Sequence, residues 1–254
     1  MIKVGKIIKI TLVSLLTAML AAYIVYSIFF LSAPDDSETC SSVDLIVESS
    51  DSPSSFADKT ELENILKDAH LYPKGMLMKN VSTKKIEDAI KEKEFISKAE
   101  CYKAAKGKVC IKVEQRMPII YVLPDGRDGF FVDAKGHVIH NRGYVSNLVV
   151  ASGDVDEKYA SKELVEMARF LQTDDFWNNQ IEQIYVSRGK KNERVIEIVP
   201  RVGDQIVYLG TINNFEKKLN NLKIFYDKAI KTVGWNKYAK VNLEYENQII
   251  CTKR

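Results

Sequence analysis

The strongest constraint on this chain is one stretch without charge, ITLVSLLTAMLAAYIVYSIFFLSAP, from Ile10 to Pro34. About 20 apolar residues in a helix span the hydrocarbon core of a bilayer. The stretch therefore predicts a transmembrane helix over residues 10–34. Tyr23, Tyr26, Phe29 and Phe30 lie in its second half, and aromatics are favoured at the membrane interface. Lys3, Lys6 and Lys9 precede it, and Asp35, Asp36 and Glu38 follow. The positive-inside rule then places a tail, residues 1–9, in the cytoplasm and the body outside. A cleaved signal peptide has an apolar region of only about 7–15 residues before a small-residue cleavage site. Ala18, Ala21 and Ala22 offer small residues, but the apolar run continues past them, so an uncleaved anchor is expected. No second run approaches spanning length, and a single pass is expected.

The charge balance agrees with that division. The chain has 254 residues, with 37 Lys and Arg against 34 Asp and Glu. Setting aside the three lysines of the tail leaves 34 basic against 34 acidic side chains in the body. Sequence-independent nucleic-acid binding needs a positive surplus, so no nucleic-acid partner is expected. The chain is 46% hydrophobic and 28% charged, which excludes a disordered or low-complexity protein. Four cysteines are too few for a disulfide-built scaffold.

Beyond the anchor, residues 35–60 are rich in Ser, Asp and Pro and hold one short strand candidate, Val43–Val47. Asp58 or Thr60 then caps a helix carrying Leu62, Ile65, Leu66 and Ala69 at helical spacing. Ser82 or Thr83 caps a second, with Ile86, Ala89, Ile90 and Phe95 as its stripe. A hairpin follows, Ile96–Lys103 and Lys108–Arg116, about a loop at 104–107. Val109, Ile111 and Val113 alternate with polar residues, as in a sheet with one buried face. The order β-α-α-β-β makes a small unit within residues 35–117. From Pro118 the pattern changes to short strands near 119–123, 129–132, 137–139, 148–150, 181–187, 194–199 and 205–209. A helix capped by Ser161, a long helix capped by Asn213 or Asn214, and a final strand over 240–250 complete it. The expectation is an α+β chain whose second domain, 118–254, is mostly antiparallel sheet with two helices.

Catalytic patterns are missing. The sequence holds neither a Gly-x-Ser-x-Gly elbow nor a glycine-rich phosphate loop, so no catalytic residue and no cofactor are expected. His137 and His140 sit in a strand-turn reading that points them to opposite faces, and no ligand set completes them. Asp133, in the turn Val132-Asp133-Ala134-Lys135-Gly136, is the best lone acid, and its stronger reading is a turn former. Folding the hairpin about residues 104–107 sets Cys101 opposite Cys110. Opposed residues lie as close as about 4.5 Å at Cα, within disulfide reach, whereas a one-residue change of register separates them.

The order of elements resembles the FtsQ/DivIB family of bitopic bacterial cell-division proteins, whose β-α-α-β-β module is a POTRA domain. Gly107–Val113 with Gln115-Arg116-Met117-Pro118-Ile119 is similar to the family's last POTRA strand and its crossing into the next domain. Phe131–Gly136 resembles its VDxxG turn. Leu209-Gly210, the long helix and Val241-Asn242-Leu243-Glu244-Tyr245 resemble its closing helix and strand, though Asn242 and Glu244 replace the usual Asp and Arg. The resemblance implies a non-catalytic divisome scaffold in the bacterial inner membrane, with its body in the periplasm, found at the septum. It implies FtsB- or DivIC-like and FtsL-like partners and other divisome membrane proteins, with the bilayer met through one helix. The expected contact strand is Val241, Asn242, Leu243, Glu244, Tyr245, Glu246, Asn247, Gln248, Ile249 and Ile250, as an open edge. Two other readings are an accessory protein of envelope translocation, whose relatives carry tandem POTRA units, and an anchored hydrolase, which lacks its nucleophile.

Overall fold

The computed structural model describes residues 2–28, 38–48, 58–140, 147–245 and 248–254, without the side chains of 2–8 and 10. The chain forms two compact units, with Glu114 in the first and Gln115 in the second.

Helix α1 runs from Ile2 to Tyr26. Among the described residues no helix is long and apolar enough to cross a membrane. The expected span reaches to Pro34, and its residues 29–34 lie outside the described residues.

The rest of the first unit is a three-stranded sheet in the order β1-β3-β2. These strands are β1 (Ser42–Glu48), β2 (Ile96–Ala104) and β3 (Lys108–Gln115). β1 runs parallel to β3, with Leu45 beside Ile111. Between β1 and β2 lie α2 (Lys59–Asp68) and α3 (Thr83–Lys91). Asp58 caps α2 by accepting the Glu61 N–H, and Ser82 caps α3 by accepting that of Lys85, so in each pair the earlier residue is the cap. Leu62, Leu66, Ile86 and Ile90 are buried, as are Leu45, Ala99, Val109, Ile111 and Val113 of the sheet. The other sheet face carries the ion pairs Lys108–Asp44 (3.0 Å) and Lys112–Glu48 (2.6 Å), which are exposed and screened by solvent. Gly107 has φ +62, and a Cβ there would lie 2.5 Å from the Thr39 carbonyl oxygen, so only glycine fits the hairpin turn.

The second unit is a nine-stranded sheet in the order β12-β11-β10-β9-β8-β7-β4-β5-β6. In chain order come β4 (Pro118–Pro124), β5 (Phe130–Asp133), β6 (Val138–His140) and β7 (Val149–Gly153). Then come α4 (Glu157–Tyr159), a π-helical turn at Ala160–Leu164, α5 (Val165–Thr173) and α6 (Asp175–Gln180). β8 (Ile181–Arg188), β9 (Arg194–Pro200) and β10 (Ile206–Gly210) follow. α7 (Phe215–Phe225), a π-helical turn at Tyr226–Ile230 and α8 (Lys231–Val233) lead to β11 (Tyr238–Asn242) and β12 (Ile250–Lys253). One core joins the inner sheet side chains Ile120, Ile184, Ile198, Val207 and Val241 to Met167, Leu171, Trp177, Leu219 and Leu222 of the helices.

Among the described residues five of the eight strand pairings of this sheet are antiparallel, as a mostly antiparallel sheet requires, and three details differ from the expectation. The pairs β4–β7, β7–β8 and β10–β11 are parallel, because helical crossovers rather than hairpins connect β7 to β8 and β10 to β11. The first helix of the unit begins at Glu157, where Asp156 accepts the Tyr159 N–H at 2.7 Å, and Ser161 sits inside the π-helical turn instead of capping. The final strand over 240–250 is two strands. β11 stops at Asn242, and β12 returns antiparallel with Asn242 beside Ile250.

Candidate functional site

The expected contact strand is divided by this break. Val241 lies on β11, between Val207 of β10 and Cys251 of β12, and is fully buried. Leu243 is 2% exposed, and its N–H donates to the Tyr208 carbonyl at 2.8 Å. Both side chains point into the core. The break has a local cause. Asn242 Oδ1 accepts the Glu244 N–H at 2.8 Å, an Asx turn that bends the chain off the sheet. Tyr245 follows, half exposed, and Gln248 is exposed. Glu246 and Asn247 lie outside the described residues.

The edge of the sheet is thus β12, and of the expected contact residues Ile250 alone stands on it. Ile250 is exposed on this strand, Cys251 is half-buried, and Thr252 and Lys253 are exposed. Burial raises the Cys251 thiol above its ordinary pKa, so it stays protonated at neutral pH. Among the described residues β12 pairs with β11 on one side only. Its backbone offers alternate N–H and C=O groups to a further strand. Arg254 fixes the strand's end by an ion pair with Asp204 at 3.0 Å. An open groove of about 510 Å3, lined by Ile224, Phe225, Lys228, Gln248 and Ile249, lies beside the start of β12. Cys251, Thr252 and Lys253 fall outside the expected contact strand. The signal that could have placed them is Asn242, a turn residue inside an apparent strand.

The two thiols of the first hairpin are free and lie on opposite faces. β2 runs to Ala104, so the turn is residues 105–107 and the register shifts by one. Cys110 shares the face of its register partner Asp44. Cys101 shares the buried face of Ala99, where its N–H donates to Glu87 Oε1 at 2.9 Å. Burial, aided by the Glu87 charge, pushes the Cys101 thiol up to about 12. The cross-strand pairing is not made.

Asp133 does the work of a turn former. Its Oδ1 accepts the N–H groups of Lys135 and His137 at 2.8 and 2.9 Å. Its Oδ2 takes the Arg116 guanidinium at 3.1 Å and lies 2.9 Å from His137 Nδ1. His140 lies 3.5 Å from Glu157, apart from this group. Among the described residues no cluster of three or more His, Cys, Asp or Glu side chains is arranged to hold a metal ion.

A two-helix, three-stranded module of this order has the POTRA-type fold, and here a large mixed sheet with its last strand at the edge follows it. Residues 38–114 match the model of the POTRA-like domain. Residues 117–252 match the model described as FtsQ/DivIB, C-terminal related. The chain belongs to the FtsQ/DivIB family. No curated protein matches it.

Proposed function

We propose that this chain is a non-catalytic scaffold of bacterial cell division, anchored in the cytoplasmic membrane, that receives FtsB- or DivIC-like and FtsL-like partners on its outer body. The observation that carries this reading is an open, C-terminal edge strand, β12, in a family domain of division proteins. A partner strand added there gains only a few backbone hydrogen bonds, each worth about 1 kcal/mol net. That falls short of the roughly 8 kcal/mol of a micromolar complex. Apolar side chains supply the rest. Ile250 (46% exposed) on the strand and Ile224 (44%) in the groove are available, as is Tyr245 (50%) in the preceding turn. Burying the half that each still exposes contributes roughly 1 kcal/mol.

The anchor reading rests on the uncharged run from Ile10 to Pro34, of which α1 covers only a part that is by itself too short to span. Leu15 is 72% and Met19 73% exposed, and Leu12, Leu16, Leu20, Tyr23 and Ile24 are exposed beside them. A helix apolar on all sides belongs in a bundle core or a bilayer. A fluorescent fusion of the full chain tests the function. It is expected as a ring at midcell in dividing cells, and uniform envelope signal overturns the reading.

A further inference from the structure

The hairpin loop between β8 and β9, the π-helical turn after α4 and the residues that lead into α7 line a pocket of about 280 Å3. It is remote in sequence from β12 and does not depend on the division reading. Two oxygens of its lining residues, Tyr159 Oη and Glu193 Oε2, are buried with no hydrogen-bond partner among the described residues. Tyr159 is 3% exposed. Buried polar atoms in folded proteins are nearly always bonded. A third lining residue, Glu163, makes no ion pair among the described residues, and neither does Glu193.

The cations of the pocket are already matched. Arg188 pairs with Asp154. Arg194 pairs with Asp156 at 2.6 Å, donates to the Asp154 carbonyl at 3.0 Å and lies 4.4 Å over the Tyr159 ring. The uncompensated charge is therefore negative, which disfavours an anion. Glu193 and Glu163 only accept hydrogen bonds, and the Tyr159 hydroxyl can accept as well. Burial, then the Glu163 charge, pushes that hydroxyl up to about 12, so it stays a neutral phenol. A group with several N–H donors and one positive charge satisfies all three.

We propose that this pocket binds a primary alkylammonium group, held by the Glu193 and Glu163 carboxylates and the Tyr159 hydroxyl. Its volume suits an ammonium head on a short alkyl chain and is below that of most drug-sized sites, about 300–1,000 Å3. Such a head occurs on free diamines and on the lysine side chain of a peptide. Gly189 sets the position of Glu193: a Cβ there would lie 2.6 Å from Glu193 Oε1. Gly189→Ala therefore shifts the carboxylate while keeping its charge.

Calorimetric titration of the full chain with cadaverine tests this. Saturable single-site binding is expected, with pentanol, which lacks the ammonium, giving none. Glu193→Gln and Gly189→Ala are each expected to weaken binding roughly tenfold, the scale of one charge-assisted bond. Glu163→Gln, at an exposed position, should weaken it without endangering the fold. An N-acetylated Gly-Lys-Gly amide, whose one ammonium is that of lysine, assigns the site to a lysine side chain if it competes with cadaverine and to free amines if it does not. Failure of cadaverine to saturate at about 10 mM, or equal binding to the wild type, Glu163→Gln and Gly189→Ala, overturns the proposal.

Discussion

Both carboxylate oxygens of Asp133 are engaged, and its side chain is 8% exposed. Burial alone would raise its pKa. The hydrogen bonds from His137, Lys135 and Arg116 outweigh it and hold the carboxyl below its ordinary value. A carboxylate with a lowered folded pKa contributes stability above its unfolded pKa and loses it as pH falls through the folded one. The contribution is therefore full at neutral pH and fades below about pH 4. Asp133→Asn keeps the shape but removes the charge and one acceptor. It is expected to cost the second unit about 1–3 kcal/mol at neutral pH. The gap to wild type should shrink in acid, as read from urea unfolding at both conditions. A gap that persists or widens in acid would refute the assignment. The turn itself was legible from the spacing of Asp133 and Gly136. Its tie to Arg116 was not, because Arg116 lies between β3 and β4, outside the turn.

At the scale of elements, local pattern sufficed for what neighbours in sequence decide. The β-α-α-β-β order and most strands of the second unit follow from alternation and caps such as Asp58 and Ser82. Pairing was illegible where the partner is remote. Nothing in Val149–Gly153 announces that it lies parallel to both Pro118–Pro124 and Ile181–Arg188. The break at Asn242 was hidden because Val241, Leu243 and Tyr245 continue the alternation past it. The pocket residues Tyr159, Glu163 and Glu193 carried no sequence signal, since the hairpin loop brings the last to the first two. The edge strand yields a prediction at this scale. Proline removes one backbone N–H, and alternate N–H groups of β12 face away from β11. One of Cys251→Pro and Thr252→Pro therefore strikes the outward N–H and the other the bond to β11. The first is expected to abolish co-purification of the partner while unfolding stays within about 1 kcal/mol of wild type. The second should lower stability. Two variants that both retain the partner would exclude strand addition at β12.

At the scale of the whole molecule, charge and hydrophobicity are segregated. Lys3, Lys6 and Lys9 carry the entire surplus of the chain, and the remaining side chains balance. Orientation in a membrane responds to lysines and arginines near a span, while acids contribute little. Replacing the three lysines with glutamine therefore removes the signal without making the opposite one. Exchanging Asp35, Asp36 and Glu38 for lysine in the same chain supplies it on the other side. Each lysine near an anionic leaflet is worth about 1 kcal/mol, so three moved together are a strong bias. In cells whose outer barrier has been opened, added protease is expected to digest the body of the wild type. Glutamine alone should leave a mixed population, and the exchanged variant a largely protected body. A fully digested body in the exchanged variant would show that folding of the outer units, and not the flanking charge, sets the orientation. A wild-type body protected from the outset would overturn the anchor reading, and with it the placement of β12 outside the membrane.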